Sequence, residues 1–310
     1  MDTLAPNPIR CVGIAGAGTI GLGLAVFLPQ HGCQVIVWAR RNAAAAAARC
    51  GEMARSLVSR GVIPKRTARE ITEKISAADC WEDMAGCDLI VECVAEDRSA
   101  KHAVLGCISA ACSDRALLAS TTSSLRISDL AGSVRLPGRF VGLHFFNPVA
   151  RMALVEVVPG ELTSGETVDR AVRFVESLGK VPLLSHDVAG FVANRLALEM
   201  CNRAVAMLEA DLASVAALDT AMRLGCGHPT GPLELGDTIG WDTVLACLEN
   251  LYEATGDPAY QPRPLVRRLV RQGWLGRKVG RGIYEYDAAG GRRLRPAANL
   301  PGMGLEAGRR

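Results

Sequence analysis

Arg10-Cys11-Val12-Gly13-Ile14-Ala15-Gly16-Ala17-Gly18-Thr19-Ile20-Gly21 runs a short apolar segment straight into a G-x-G-x-x-G turn. The apolar segment reads as a strand over 10–15, and an apolar helix is expected to follow through Leu28, ended or bent by Pro29. A second strand is expected over 34–38, Gln34-Val35-Ile36-Val37-Trp38. Strand, glycine turn, helix and strand form the context in which the three glycines have a mechanism. Gly16 makes the tight turn, Gly18 lets the backbone approach a pyrophosphate, and Gly21 allows the helix to pack closely on the strand. The helix N-terminus then receives the phosphates. Gly16, Gly18, Thr19, Ile20 and Gly21 are therefore the expected contacts to a dinucleotide.

The end of the second strand sets the expected cofactor. An NAD-binding unit generally places Asp or Glu about 20 residues beyond the glycines, where it holds the ribose hydroxyls. Here the segment reads Trp38-Ala39-Arg40-Arg41, with no acid and two consecutive cations. A carboxylate repels a 2′-phosphate, whereas a guanidinium grips it with two hydrogen bonds. Arg40 and Arg41 thus favour NADP(H); the alternative is that they solvate a helix start while NAD binds.

Working outward, helices are expected over 42–60 and 64–73, strands over 88–94 and 117–120, and Glu96 and Lys101 on the loop and helix between those strands. The second of these strands ends in Thr121-Thr122-Ser123-Ser124, at the carboxyl edge where ligands sit in doubly wound sheets, so Ser123 is a candidate substrate contact. Thr163-Ser164-Gly165-Glu166 reads as a capping box opening a helix to about residue 178, with one more strand over 179–184. From Ala189 the patterns are helical, over 189–210, 214–224, 232–254 and 262–272. The first of these is apolar around most of its circumference, which implies burial in a bundle or across a homodimer interface. The expected architecture is an α/β Rossmann-type doubly wound sheet domain over 1–187, followed by an all-helical domain over 188–287. The Gly-, Pro- and Arg-rich tail over 288–310 is expected to be disordered.

Composition excludes several classes. A net charge of +3 over 310 residues, with 5% aromatics, offers no surface for nucleic acid. The 11 cysteines follow no C-x-x-C pattern and have no histidine at ligand spacing, so neither a metal site nor a disulfide framework is expected. A reduced, cytoplasmic protein fits that usage. No run of about 18–20 apolar residues marks a membrane span, and the first residues lack the pattern of a secretory signal.

Two further apolar strands are separated by the turn chemistry of Asn147-Pro148: Gly142-Leu143-His144-Phe145-Phe146 and Leu154-Val155-Glu156-Val157-Val158. Folding one beside the other would bring His144 and Glu156 together, and an imidazole held by a carboxylate suits proton transfer near neutral pH. Alone, the pair is equally consistent with a structural histidine and a surface glutamate.

Taken together, these residues resemble the short-chain L-3-hydroxyacyl-CoA dehydrogenases, most closely the bacterial 3-hydroxybutyryl-CoA dehydrogenases. The resemblance covers about residues 9–287, including Gly190-Phe191-Val192-Ala193-Asn194-Arg195 and the segments 228–237 and 273–278. It implies that His144 is the catalytic acid/base and Glu156 its orienting partner, with Ser123 and Asn194 bonding the substrate oxygens. It also implies that Glu96 and Lys101 line the nicotinamide ribose and substrate region, that Asn147, a substrate-binding candidate, shapes with Pro148 the turn supporting His144, and that Arg60 and Lys65 lie near the CoA phosphates. The implied reaction is hydride transfer between a short-chain 3-hydroxyacyl-CoA and NAD(P). A biosynthetic dehydrogenase of a hydroxyacyl group on an acyl carrier protein is the alternative, and a non-catalytic nucleotide-binding protein a remote third. The chain departs from the family in three places. Ala39 replaces the ribose acid, Thr121 replaces an asparagine, and Ala150-Arg151-Met152-Ala153 replaces Pro-Val-Met-Lys.

Overall fold

A computed structural model describes residues 8–287, the backbone of 292–294, and residues 300 and 301. Two compact units divide between Phe191 and Val192, against the 187/188 boundary expected from the sequence.

The first unit is a βα alternation. β1 (Cys11–Ala15) leads through the glycine turn into α1 (Thr19–Phe27), and a 3-10 turn beginning at Leu28 carries Pro29. β2 (Gln34–Trp38), α2 (Ala43–Ser59) and α3 (Lys65–Glu73) follow, and the Asn42 side chain caps α2 by accepting the Ala45 N–H at 2.8 Å. β3 (Ile75–Ala78) was not expected, because its Ile-Ser-Ala-Ala has almost no apolar signal of its own. It forms by adding to the outer edge of β2.

β4 (Leu89–Glu92), α4 (Arg98–Ala111), β5 (Leu117–Ser120) and α5 (Ile127–Ala131) continue the alternation, and β6 (Phe140–Phe145), β7 (Leu154–Pro159), α6 (Gly165–Ser177) and β8 (Val181–Leu184) close it. The strand order is β3-β2-β1-β4-β5-β6-β7-β8. All neighbours are parallel except β6 and β7. Every residue of β4, β5 and β6 is buried, as expected for strands covered on both faces. The order reverses between β1 and β4, which opens a crevice at their carboxyl ends. The helix-opening cap of α6 is Ser164, which accepts the Thr167 N–H at 3.2 Å, one residue later than the expected box.

The second unit is mainly helical. α7 (Ala193–Glu209), α8 (Val215–Thr220), a π turn over Ala221–Gly225, α9 (Pro232–Ile239), α10 (Trp241–Thr255) and α11 (Pro264–Arg271) make it up. Three expectations are corrected here. The helix expected over 232–254 is two helices, because the backbone at Gly240 turns to φ +99°. The helix expected from 189 begins at Ala193, after Gly190 and Phe191 both take positive φ. Its apolar faces are unequal, since Cys201 and Val205 are fully buried while Leu196 is 67% exposed. Within the tail expected to be disordered, β10 (Arg292–Leu294) pairs antiparallel with β9 (Tyr284–Tyr286), and Leu300 is buried. Composition hid the pairing because the segment reads as Gly-, Pro- and Arg-rich and without periodicity. The remainder of that tail lies outside the described residues.

Candidate active site

The crevice at the switch point holds a cleft of about 810 Å³ within the first unit. Gly16, Gly18, Thr19 and Ile20 form one wall, Arg40 and Arg41 one end, and Glu96, Lys101, Ser123 and His144 the other.

The glycine turn tests whether a dinucleotide fits. A Cβ at Gly16 would stand 2.5 Å from the Cys93 carbonyl oxygen, and one at Gly21 2.0 Å from the Gly16 oxygen, so these two positions let α1 close on β1 and β4. At Gly18 a Cβ would meet nothing nearer than 3.9 Å and would instead occupy the cleft itself. No side chain caps the first turn of α1, which leaves its N–H groups to an incoming anion. The residues present fit a pyrophosphate. At the far end of β2, Trp38 stacks on Trp81 with ring centroids 3.9 Å apart. Arg40 and Arg41 follow on the exposed connection to α2, and neither guanidinium bonds another of the described residues.

At the opposite end a buried ionic network orders the cleft. Glu92 ends β4 fully buried and accepts bonds from Lys101 Nζ at 2.9 Å on both oxygens, from Ser120 Oγ at 2.6 Å and from the Val94 N–H at 2.6 Å. Lys101, itself 1% exposed, also reaches Glu96 at 3.4 Å. Glu96 in turn accepts from Thr122 Oγ1 (2.6 Å), the Ser123 and Ser124 N–H groups (3.0 Å each) and Ser124 Oγ (2.9 Å). Burial would raise the Glu96 carboxyl, but the Lys101 charge and these donors together hold it below its ordinary range. Lys101 and Glu96 therefore shape the loop that presents Ser123. Sequence reading missed Glu92, although an acid ending the apolar run Leu89-Ile90-Val91 signals a buried partner.

β6 and β7 supply the remaining groups. Their antiparallel register places His144 directly opposite Glu156, and His144 Nδ1 lies 2.6 Å from Glu156 Oε2. Glu156 is fully buried and His144 is 6% exposed, with the Phe146 and Phe191 rings 4.5 and 5.7 Å from the imidazole. Against an ionised Glu156, which can only accept, Nδ1 would be the donor and Nε2 the remaining ring nitrogen. The turn between the strands contains a cis Asn147–Pro148 bond. Lys180 holds that turn by donating to the Val149 and Met152 carbonyls at 2.6 and 2.7 Å. It too was missed, because only the fold brings residue 180 back to residues 149–152.

The other candidates are placed as follows. Asn147 lies on the turn after β6 and is not among the residues lining the cleft. Arg60 caps the end of α2 and Lys65 opens α3; neither lines the cleft. Asn194 sits in the first turn of α7, in the second unit.

A glycine cradle at the switch point of a doubly wound sheet, with a buried imidazole–carboxylate couple at one end of the same cleft, defines a Rossmann-type nicotinamide-dependent oxidoreductase. Residues 11–188 match the family model of the 3-hydroxyacyl-CoA dehydrogenase NAD binding domain, and residues 190–286 match that of its C-terminal domain. The chain belongs to the 3-hydroxyacyl-CoA dehydrogenase family and acts on CH–OH donors. It is 39% identical to the 3-hydroxybutyryl-CoA dehydrogenase of Bradyrhizobium diazoefficiens over 284 residues, covering 91% of this chain and 97% of that one. Identity to the Clostridioides difficile 3-hydroxybutyryl-CoA dehydrogenase is also 39%, over 88% and 98% of the two chains. Among solved structures, the (S)-3-hydroxybutyryl-CoA dehydrogenase of Ralstonia eutropha superposes with a TM-score of 0.84 at 37% identity, over 90% of this chain and 99% of that one. Among the described residues no helix is long and apolar enough to cross a membrane.

Proposed function

We propose that the chain interconverts a short-chain 3-hydroxyacyl-CoA, 3-hydroxybutyryl-CoA foremost, and its 3-oxoacyl-CoA, with NADP(H) preferred over NAD(H). The substrate reading is supported by the relatives above, each named for 3-hydroxybutyryl-CoA. The single observation that carries the mechanism is the 2.6 Å contact between His144 and Glu156 at the end of the cofactor cleft.

The bound nicotinamide supplies a two-electron hydride acceptor or donor. In oxidation, neutral His144 takes the 3-hydroxyl proton on Nε2 as the C3 hydride leaves, so hydroxyacyl thioester and oxidised cofactor become oxoacyl thioester, reduced cofactor and one proton. In reduction, protonated His144 returns that proton to the forming alkoxide. Glu156 steadies the imidazolium and holds the tautomer, the part an acid plays behind a catalytic histidine. Ser123, on the loop gripped by Glu96, and Asn194, in the family's Gly-Phe-Val-Ala-Asn-Arg segment, are proposed to bond the substrate oxygens. Arg60 and Lys65 are proposed for the CoA phosphates, Asn147 for shaping the substrate side of the turn, and the α7 face carrying exposed Leu196 for a homodimer contact.

NADP(H) preference is supported by Ala39, which removes the repelling acid, and by the unpaired Arg40 and Arg41 at that end of the cleft. The test is a matrix of initial rates, NADH and NADPH against acetoacetyl-CoA, longer 3-oxoacyl-CoAs and an acetoacetyl carrier-protein thioester. The expected result is the highest kcat/KM for NADPH with acetoacetyl-CoA. A clear NADH advantage overturns the cofactor preference, and turnover of the carrier-protein thioester alone overturns the substrate.

A further inference from the structure

The cleft is electrically lopsided. At the Arg40–Arg41 end it is cationic, while at the His144 end Glu92, Glu96 and Glu156 face one cation, Lys101. The donors around Glu92 and Glu96 are N–H, O–H and ammonium groups only, the pattern of ionised carboxylates. With His144 neutral, the formal sum at that end is −2, set in walls where Glu92, Lys101 and Glu156 are almost wholly withdrawn from water. The two redox forms of the cofactor differ in charge at one group only: the oxidised nicotinamide ring is a cation and the reduced ring is neutral.

We propose that the Glu92–Lys101–Glu96 cluster is a specificity element for the redox state of the cofactor, shifting affinity toward the oxidised form. The inference rests on the nicotinamide lying at the His144 end of the cleft, which hydride transfer beside His144 requires. Phosphates, ribose and adenine are common to both forms, so the field of the cluster acts on their difference alone. By linkage, a protein that holds the oxidised form more tightly makes the bound reduced form a stronger hydride donor than the free one. That bias suits the reductive direction, oxoacyl to hydroxyacyl, which NADPH use also favours. The roles within the cluster differ. Lys101 lowers the net charge and joins the two carboxylates, Glu92 anchors it from behind, and Glu96 is the member that is partly open to the cleft, its side chain 33% exposed. All three are positioning or field-setting residues; none needs to touch the reacting atoms.

The test measures binding rather than turnover. Dissociation constants of the reduced cofactor come from its own fluorescence and those of the oxidised cofactor from competition, at low and fixed ionic strength. Two unit charges about 10 Å apart interact, at an effective dielectric of about 20, strongly enough for roughly a tenfold change in an equilibrium constant, and that scale sets the expected change in the ratio of the two constants. Glu96→Gln keeps the shape and most of the hydrogen bonds and is expected to raise Kd(oxidised)/Kd(reduced) by about that factor, whereas Glu96→Asp keeps the charge and leaves the ratio near that of the wild type. Glu92→Gln is expected to raise the ratio and Lys101→Gln to lower it; the double variant Glu92→Gln/Lys101→Gln restores the net charge and with it the ratio. If Glu96→Gln changes both constants by a common factor, or if Glu96→Asp behaves like Glu96→Gln, the cluster is purely structural and the proposal is overturned. Those two variants decide the matter even if the buried substitutions do not fold. Failure of the wild type to bind either cofactor would instead strike at the dinucleotide reading itself.

Discussion

Single residues in this protein are read most safely through their partners. His144 in isolation is a strand histidine; opposite a fully buried Glu156, 2.6 Å from its Nδ1, it has a carboxylate partner of the kind that fixes a tautomer. Lys101 is read the same way. It lines the cleft, and its ammonium is engaged by Glu92 and by Glu96, the residue that accepts the Ser123 and Ser124 N–H groups. The same logic gives a pH dependence. Because the Glu96 carboxyl is held below its unfolded value, near 4.3, its ionised form contributes stability that is fully present above that pH. The contribution is lost as pH falls through the lower folded value. Thermal melts of the wild type and Glu96→Gln should therefore differ most above about pH 5 and converge in acid. A gap that widens as pH falls would contradict the assignment.

At the scale of elements, what was legible depended on how far the signal had to reach. β1, the glycine turn, α1 and β2 are specified by neighbouring residues, and their bounds fall within a residue of expectation. The β6–β7 pair was legible because two apolar runs flank a turn, and the observed register sets His144 opposite Glu156. β3 was not legible, since it exists by pairing with β2 rather than by its own pattern. Nor was the division at Gly240, because α9 and α10 are held by contacts from far along the chain. Asp237, fully buried on α9, accepts from Trp241 Nε1 on α10 at 2.5 Å, the Ile283 and Tyr284 N–H groups at 2.8 Å each and the Tyr286 hydroxyl at 3.0 Å. Burial pushes its carboxyl above the ordinary range, against the pull of those four donors. Asp237→Ala strands donors belonging to α10 and β9 together. It should cost at least about 3 kcal/mol, since each buried unpaired group costs ~1–3 kcal/mol. Chemical denaturation followed by tryptophan fluorescence checks this through Trp241, and a loss below about 1 kcal/mol would mean that water replaces the carboxylate.

For the whole molecule, the two units carry different parts of the account. The first contains the cleft lined by the glycine turn and the His144–Glu156 couple. The second contains Asn194 and matches the family's C-terminal domain. Chemistry was readable from sequence because it sits at strand ends and turns, where residue type and spacing carry the information. Fine substrate and cofactor choice was less readable, since it turns on departures such as Ala39 and Ala150-Arg151-Met152-Ala153 rather than on shared motifs. The central claim is that this cleft performs hydride transfer on a 3-hydroxyacyl thioester with His144 as its proton carrier. It is tested most directly by following oxidation of the reduced cofactor on addition of acetoacetyl-CoA, with wild-type protein and His144→Gln side by side, while measuring cofactor Kd for both. The expected result is rapid wild-type turnover, a loss of roughly 10²–10⁴-fold in kcat for the variant, and an unchanged Kd. Near-normal turnover by His144→Gln, or none by the wild type despite tight cofactor binding, would contradict it.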